Sequence, residues 1–177
     1  MSRAYLLIGR PGVGKTTCIG KLLELLRVPA GGFVTEEIRE GGKRVGFSLR
    51  TLDGRQATLA HIDRSGGPRV GKYGVNLDAL DRVGVPAIRE AVRRGRLVVI
   101  DEIGKMELAG AAFRQAVEEA LESPATVLAT ILMADHPWAD RIKLHPAVHL
   151  IEVTRANRDS LPTELAAWLK APPPPAA

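Results

Sequence analysis

The segment that most constrains this chain lies within its first 26 residues. A short apolar run, Ala4–Ile8, ends at Gly9 and is followed by a glycine-rich stretch that closes with Lys15 and Thr16. Over residues 19–26, leucines and an isoleucine then recur at the spacing of an amphipathic helix. A continuous apolar run bounded by glycine is typical of a buried strand. This order predicts a strand, a tight loop and a helix.

The loop fits the pattern G-x-x-x-x-G-K-[ST] at every fixed position, and its residues are Gly9, Arg10, Pro11, Gly12, Val13, Gly14, Lys15 and Thr16. In such a loop, backbone N–H groups surround phosphate oxygens and the helix dipole adds positive charge. We expect Lys15 to reach the β- and γ-phosphates and Thr16 to ligate Mg²⁺, with Thr17 also at the nucleotide. The competing interpretation is a glycine-rich turn with an incidental lysine.

The same alternation of strand and helix continues along the chain. Apolar runs predict further buried strands at 97–100, 127–132 and 148–153, and helical patterns follow at 108–121 and 158–169. Alternating strands and helices form a parallel sheet covered on both faces. The sequence therefore predicts an α/β fold, the three-layer α/β/α P-loop NTPase fold with a mostly parallel sheet.

Residues 32–76 follow a different pattern. Short strand candidates at 33–35, 44–49 and 56–60 are separated by turn signals, which predicts an antiparallel β insertion. We interpret 66–74 as a loop. The expected organisation is one domain over residues 1–170 that includes this insertion, and a disordered proline-rich tail over 171–177.

An acidic pair follows the second buried strand. Asp101 and Glu102 come directly after Leu97–Ile100, at the strand end where ligands of open α/β sheets bind. Asp101 is the candidate for holding Mg²⁺, and Glu102 for orienting or deprotonating the attacking water. A second carboxylate favours hydrolysis over a pure nucleotide switch.

With these motifs the chain resembles a known family, the small P-loop nucleoside triphosphatases that include the thermophilic nucleoside phosphatases and the cancer-related nucleoside triphosphatase of animals. The matching stretches are GRPGVGKTT at 9–17, GGFVTEEIR at 31–39, RVGF at 44–47, VGKYGV at 70–75 and VVIDEIGKMEL at 98–108. The resemblance implies slow, Mg²⁺-dependent hydrolysis of ATP, GTP, CTP and UTP to diphosphates. It assigns the 9–16 loop to the nucleotide, Asp101 to magnesium and Glu102 to catalysis.

Several other residues have two interpretations each. Lys105 either neutralises charge on the γ-phosphate or is an exposed lysine at a helix start. Asn157 either contacts the base or caps the last helix, and Thr130 either senses the γ-phosphate or fills space. Glu36 and Glu37 either approach the metal or lie on an exposed edge. The four histidines lack metal-ligand spacing, so no zinc is expected.

Composition limits the compartment and the partners expected for this chain. No apolar run is long enough to span a membrane, and a lone cysteine, Cys18, suits a reducing cytoplasm. The net charge of +5 is spread along the chain, so a nucleic-acid partner is not expected. We expect a monomer that acts on nucleoside triphosphates.

Two functions compete with NTP hydrolysis. A nucleoside or small-molecule kinase would keep the fold and replace water by an organic acceptor, and the β insertion offers room for an acceptor pocket. A nucleotide-gated binding module would bind the triphosphate with little turnover. Both remain open at the level of the sequence.

Overall fold

The computed structural model describes residues 3–171, which form a nine-stranded sheet with helices on both faces. The strands are β1 (Arg3–Ile8), β2 (Ala30–Glu40), β3 (Lys43–Thr51), β4 (Gln56–His61), β5 (Arg69–Val70), β6 (Tyr73–Val75), β7 (Leu97–Ile103), β8 (Thr126–Ile131) and β9 (Val148–Glu152). The helices are α1 (Lys15–Leu26), α2 (Leu77–Ala79), α3 (Val85–Arg93), α4 (Ala111–Glu122), α5 (Pro137–Lys143) and α6 (Leu161–Lys170). A π-helical segment, Leu80–Gly84, joins α2 to α3, and a 3₁₀ turn, Glu107–Ala109, precedes α4.

The strand order is β5-β6-β4-β3-β2-β7-β8-β1-β9. Strands β2, β7, β8, β1 and β9 are mutually parallel. Their side chains alternate between two cores, so Leu6 of β1 packs with residues of α3, α4 and α5, whereas Leu7 packs with residues of α1 and α6. The predicted three-layer α/β/α architecture is therefore confirmed.

The antiparallel strands predicted within 32–76 are present and extend the same sheet through β3, β4, β6 and β5. Several boundaries differ from the prediction. Helix α1 ends at Leu26, as its apolar pattern indicates, with Arg27 in the left-handed region (φ 50°), but β2 begins at Ala30 rather than residue 33 and β7 continues to Ile103 rather than ending at residue 100. The predicted loop at 66–74 contains the two short strands β5 and β6.

The last helix begins at Leu161 rather than near residue 158, because residues 155–160 form turns. The predicted tail beyond residue 171 lies outside the described residues. Within 3–171, no helix is both long and apolar enough to cross a bilayer.

Candidate active site

The loop between β1 and α1 has a backbone that only glycine adopts easily. Gly12 and Gly14 have φ values of 75° and 114°. At Gly9 a side chain would collide, because a Cβ there would lie 2.7 Å from the carbonyl oxygen of Val153. Gly14 caps α1 without a side-chain hydrogen bond. The first N–H groups of α1 therefore remain available for an anion.

The Lys15 ammonium lies within this loop. Its Nζ donates hydrogen bonds to the carbonyl oxygens of Gly9 at 2.7 Å and Arg10 at 3.2 Å. The loop carbonyls thus hold the positive charge in place, next to the start of α1. A fixed cation at this position complements the charge of a bound phosphate chain.

The acidic pair lies at an irregularity between β7 and β8. Ile100 pairs with Ala129 and Ile103 pairs with Ile131, so β7 contains one more residue than β8 over this interval. The extra length falls at Asp101 and Glu102, which are joined by a cis peptide bond. Such bulges commonly redirect side chains next to active sites.

Asp101 is only 4% exposed. Its Oδ1 accepts a hydrogen bond of 2.6 Å from the Thr130 hydroxyl, whereas its Oδ2 is buried and has no partner within residues 3–171. Burial raises the pKa of Asp101, while the hydrogen bond from Thr130, the nearby Thr16 hydroxyl and the charge of Lys15 oppose that rise. A buried carboxylate oxygen without a hydrogen-bond donor fits a role as ligand of a cation.

Glu102 is half-buried, and its pKa is raised by burial and then by the neighbouring Asp101 charge, against the opposing effect of Lys15. A carboxylate whose pKa is raised is a stronger base than a free one, and it remains within reach of solvent. Glu102 therefore has the character of a general base.

Sequence analysis assigned no role to Glu107, which lies beside this pair. It is 3% exposed, and its Oε2 accepts a hydrogen bond of 3.2 Å from the N–H of Gly104. Gly104 separates the two acids, because a Cβ at position 104 would lie 2.8 Å from Glu102 Oε1 and 2.9 Å from Glu107 Oε2. Burial, followed by the charge of Glu102, raises the pKa of Glu107 to about 8. The available sequence signal was an acidic residue between Met106 and Leu108.

Three cavities follow one another along this edge of the sheet. The phosphate cavity, of about 390 Å³, is lined by Pro11, Gly12, Gly14, Lys15, Thr16, Thr17, Thr35, Glu36, Glu37, Phe47, Asp101 and Glu102. The loop cavity, of about 520 Å³, is lined by Arg10, Pro11, Gly12, Val13, Glu152, Val153, Thr154 and Arg155. The apolar cavity, of about 410 Å³, is lined by Gly9, Pro11, Lys15, Thr35, Phe47, Leu59, Val70, Glu102, Lys105, Met106, Glu107, Leu132, Met133 and Ala134.

The structure gives the surroundings of several further candidates. Thr130 is fully buried and its hydroxyl donates to Asp101, so it does more than fill space, and its role at the γ-phosphate stays a prediction. Lys105 is exposed and lines the apolar cavity together with Glu102. Glu36 and Glu37 line the phosphate cavity but form exposed ion pairs with arginines of the insertion.

Asn157 holds a loop together. Its Oδ1 accepts from the Thr154 N–H and its Nδ2 donates to the Glu152 carbonyl, both at 2.8 Å. Ser160 occupies the N-cap position of α6, so the capping interpretation of Asn157 is wrong. Both ends of the amide thus engage the segment that contains Glu152 and Thr154, which line the loop cavity, and the contact of Asn157 with a base stays a prediction.

Comparisons with known proteins agree with this geometry. A family model described as NTPase matches residues 4–166. A nucleoside-triphosphatase THEP1 of Thermotoga petrophila is 50% identical over 93% of this chain and 92% of its own length. A cancer-related nucleoside-triphosphatase homolog of Mus musculus is 39% identical over 94% of this chain and 96% of its own.

The crystal structure of THEP1 from Aquifex aeolicus superposes with a TM-score of 0.84 at 36% identity, covering 97% of this chain and all of that one. The fold, the order of the motifs and the similarity over nearly the full length thus agree. They confirm the resemblance read from the sequence: the chain belongs to the NTPase family.

Proposed function

We propose that this chain hydrolyses nucleoside triphosphates to diphosphates and phosphate, with Mg²⁺ and with broad tolerance of the base. The observation that carries the proposal is the phosphate cavity, where the Lys15 ammonium and the uncapped start of α1 lie opposite Asp101 and Glu102. The names of the relatives, all nucleoside-triphosphatases, support the same reaction.

The residues of the loop position and stabilise the triphosphate. The N–H groups at the start of α1 and the Lys15 ammonium bind the β- and γ-phosphates, where negative charge spreads as the γ-phosphoryl group departs. Glu102 orients the attacking water and accepts its proton. Phosphoryl transfer depends on positioning and electrostatics, so these groups suffice for a modest rate.

Thr16 and Asp101 are the residues that would hold Mg²⁺. A hydroxyl and a carboxylate with a donor-free Oδ2 are hard oxygen ligands, and Mg²⁺ commonly takes only one or two protein ligands besides phosphates and waters. When bound, the ion would neutralise charge on the phosphate oxygens.

The loop cavity supports broad base tolerance. Its lining has no aromatic or amide side chain within the described chain, and its polar side chains are Arg10, Glu152, Thr154 and Arg155. Arg10 and Arg155 supply guanidinium planes, on which any base can stack. We therefore place the base and ribose there, next to the phosphates.

The test is a steady-state panel of ATP, GTP, CTP and UTP with identification of the products, with Mg²⁺ and with excess EDTA. We expect diphosphate and phosphate from all four nucleotides, with rates within about tenfold of one another, and loss of turnover in EDTA. Asp101→Asn should lower the rate about 10²-fold at fixed Mg²⁺, whereas Asp78→Asn on α2 should not. Turnover unchanged by Asp101→Asn, or cleavage to monophosphate, would contradict the proposal.

A further inference from the structure

The apolar cavity begins where the phosphate cavity ends. The two share five lining residues, namely Pro11, Lys15, Thr35, Phe47 and Glu102. On the proposed function, Lys15 and Glu102 flank the γ-phosphate and its attacking group. The apolar cavity therefore opens at the position from which a nucleophile would approach.

This cavity is far larger than water requires. A water molecule takes about 30 Å³ of liquid volume, against about 410 Å³ here. Sites for small organic molecules typically measure about 300–1,000 Å³. A site that served only to admit water would not need a space of this size next to its base.

The walls are chemically divided. Apolar side chains come from the insertion, as Phe47, Leu59 and Val70, and from the segment after β8, as Leu132 and Met133. The ionisable lining groups are Lys15, Glu102, Lys105 and Glu107; Lys15 and Glu102 also line the phosphate cavity, and Glu107 lies beside Glu102 across Gly104. A ligand with an apolar body and a single polar group fits this division. A nucleoside fits less well, because its base and ribose carry polar groups on all sides and the lining is mostly apolar.

The insertion wall is held by specific contacts. The Phe47 ring meets Tyr73 edge-on with centroids 5.2 Å apart, and the Arg44 guanidinium lies 5.1 Å from the Phe47 centroid. Arg44 Nε also donates a hydrogen bond of 3.0 Å to the Tyr73 hydroxyl. These contacts preform the wall before any ligand binds. Met133, 47% exposed, leaves an apolar surface at the cavity.

The polar end is compatible with a neutral acceptor. Glu107 is buried there, and its Oε2 accepts a hydrogen bond of 3.2 Å from the Gly104 N–H. An anionic acceptor would still face the charges of Glu102 and of the γ-phosphate.

We propose that the apolar cavity binds a small uncharged alcohol with an apolar body and that this alcohol accepts the γ-phosphoryl group in place of water. The alcohol oxygen forms a bond to the γ-phosphorus while the bond from that phosphorus to the β–γ bridging oxygen breaks. The hydroxyl proton passes to Glu102, and the products are a phosphomonoester and a nucleoside diphosphate. This second activity rests on the proposed function, because it uses the same phosphate cavity and the same base.

The experiment incubates the full chain with Mg²⁺, ATP labelled at the γ-phosphate, and 3-phenyl-1-propanol as the probe. Labelled phosphomonoester and inorganic phosphate are separated and their ratio is measured. Ethanol, which has a hydroxyl but a minimal apolar body, serves as the control probe. Val70→Trp fills the cavity from β5, and Val28→Trp adds the same side chain at an exposed position outside it.

We expect phosphomonoester from 3-phenyl-1-propanol, at least tenfold more than from equimolar ethanol. Val70→Trp should lower the ratio of phosphomonoester to phosphate at least tenfold, and Val28→Trp should leave it unchanged. Phosphate release without any phosphomonoester, or a ratio that Val70→Trp does not alter, overturns the inference while the proposed function stands.

A separate binding measurement tests the alcohol site if the proposed function itself fails. If the chain releases no phosphate from ATP, the hydrolysis proposal fails, and binding of the probe is followed by saturation-transfer NMR without nucleotide. A signal that Val70→Trp abolishes and Val28→Trp retains supports the cavity as an alcohol site. No signal, or an equal signal in both variants, overturns it.

Discussion

Carboxylates in the two halves of the sheet differ in burial and in the direction of their pKa shifts. In the parallel half, Asp101, Glu102 and Glu107 are withdrawn from solvent, and burial raises the pKa of each. In the antiparallel insertion, Glu37 and Asp53 are exposed, with side chains 38% and 58% accessible, and arginines lower the pKa of both.

The difference separates buried carboxylates, whose pKa is raised, from exposed carboxylates, whose pKa is lowered by a neighbouring arginine. An exposed carboxylate beside arginine is already neutralised and gains little from a ligand. A buried one with a free oxygen, such as Asp101, is costly unless a cation or a proton joins it. Perturbed acids of this kind concentrate at functional sites. The comparison therefore favours the parallel half as the place of the proposed chemistry, with the insertion as a wall of its cavities.

The largest effect is expected at Lys15, whose charge faces the buried acids. Lys15→Ala should lower the rate of phosphate release about 10²–10³-fold, because the developing charge on the phosphates loses a fixed donor. Lys21→Ala, on the exposed face of α1, is the matched control and should remain within about twofold of the wild type. A rate that falls equally in both variants would show that the chain lacks a specific phosphate site there.

The pH dependence of the free energy of unfolding tests the raised pKa of the buried Glu107. Because the folded-state pKa of Glu107 lies at about 8, above its ordinary value of 4.5, the folded state binds more protons than the unfolded state between those values. Its contribution to stability is fully present below pH 4.5 and is lost as the pH rises through 8, by up to about 1.4 kcal/mol per pH unit.

Glu107→Gln removes this titration. In urea denaturation, the free energy of unfolding of the variant relative to that of the wild type should therefore increase between pH 5.5 and 8.5. Glu24→Gln, on the exposed side of α1, should show a constant difference from the wild type. A difference for Glu107→Gln that is flat with pH would mean that Glu107 is charged in the folded state.

The smallest effect is expected in the insertion. Asp53 accepts hydrogen bonds from Arg55 and Thr51, and its pKa is lowered to about 2 from 3.8. Its contribution is present above pH 3.8 and is lost as the pH falls through 2. Since the pair is exposed, Asp53→Asn should cost at most about 1 kcal/mol at pH 7. If urea denaturation showed that Asp53→Asn lowers the free energy of unfolding by more than about 2 kcal/mol, the contrast between the two halves of the sheet would be wrong.

The sequence predicted the parallel half well because its signals are local. A buried strand before the glycine loop, a helix after it and an acidic pair after a second strand each depend on neighbouring residues. Cys18, in the helix after the loop, is buried, and burial raises the pKa of its thiol to about 11.

Features that depend on distant partners were missed. The Thr130–Asp101 hydrogen bond joins residues 29 positions apart, and the burial of Glu107 depends on tertiary packing. Strands β5 and β6 have only two and three residues, too few to show an alternating pattern. The order of the antiparallel strands, β3, β4, β6 and β5, is set by which strands of the insertion pair with each other. Residue types alone do not specify that pairing, and so they did not predict the apolar cavity that these strands help to line.

The central claim is that Glu102 positions and deprotonates the attacking group opposite the phosphate loop. It is tested most directly by Glu102→Gln, with phosphate release and ATP affinity measured on the same sample in Mg²⁺. We predict a fall in the rate of release of about 10²-fold with ATP affinity retained, because the variant keeps the shape of the side chain and loses its basicity. Phosphate release at the wild-type rate, with ATP bound equally well, would contradict the account.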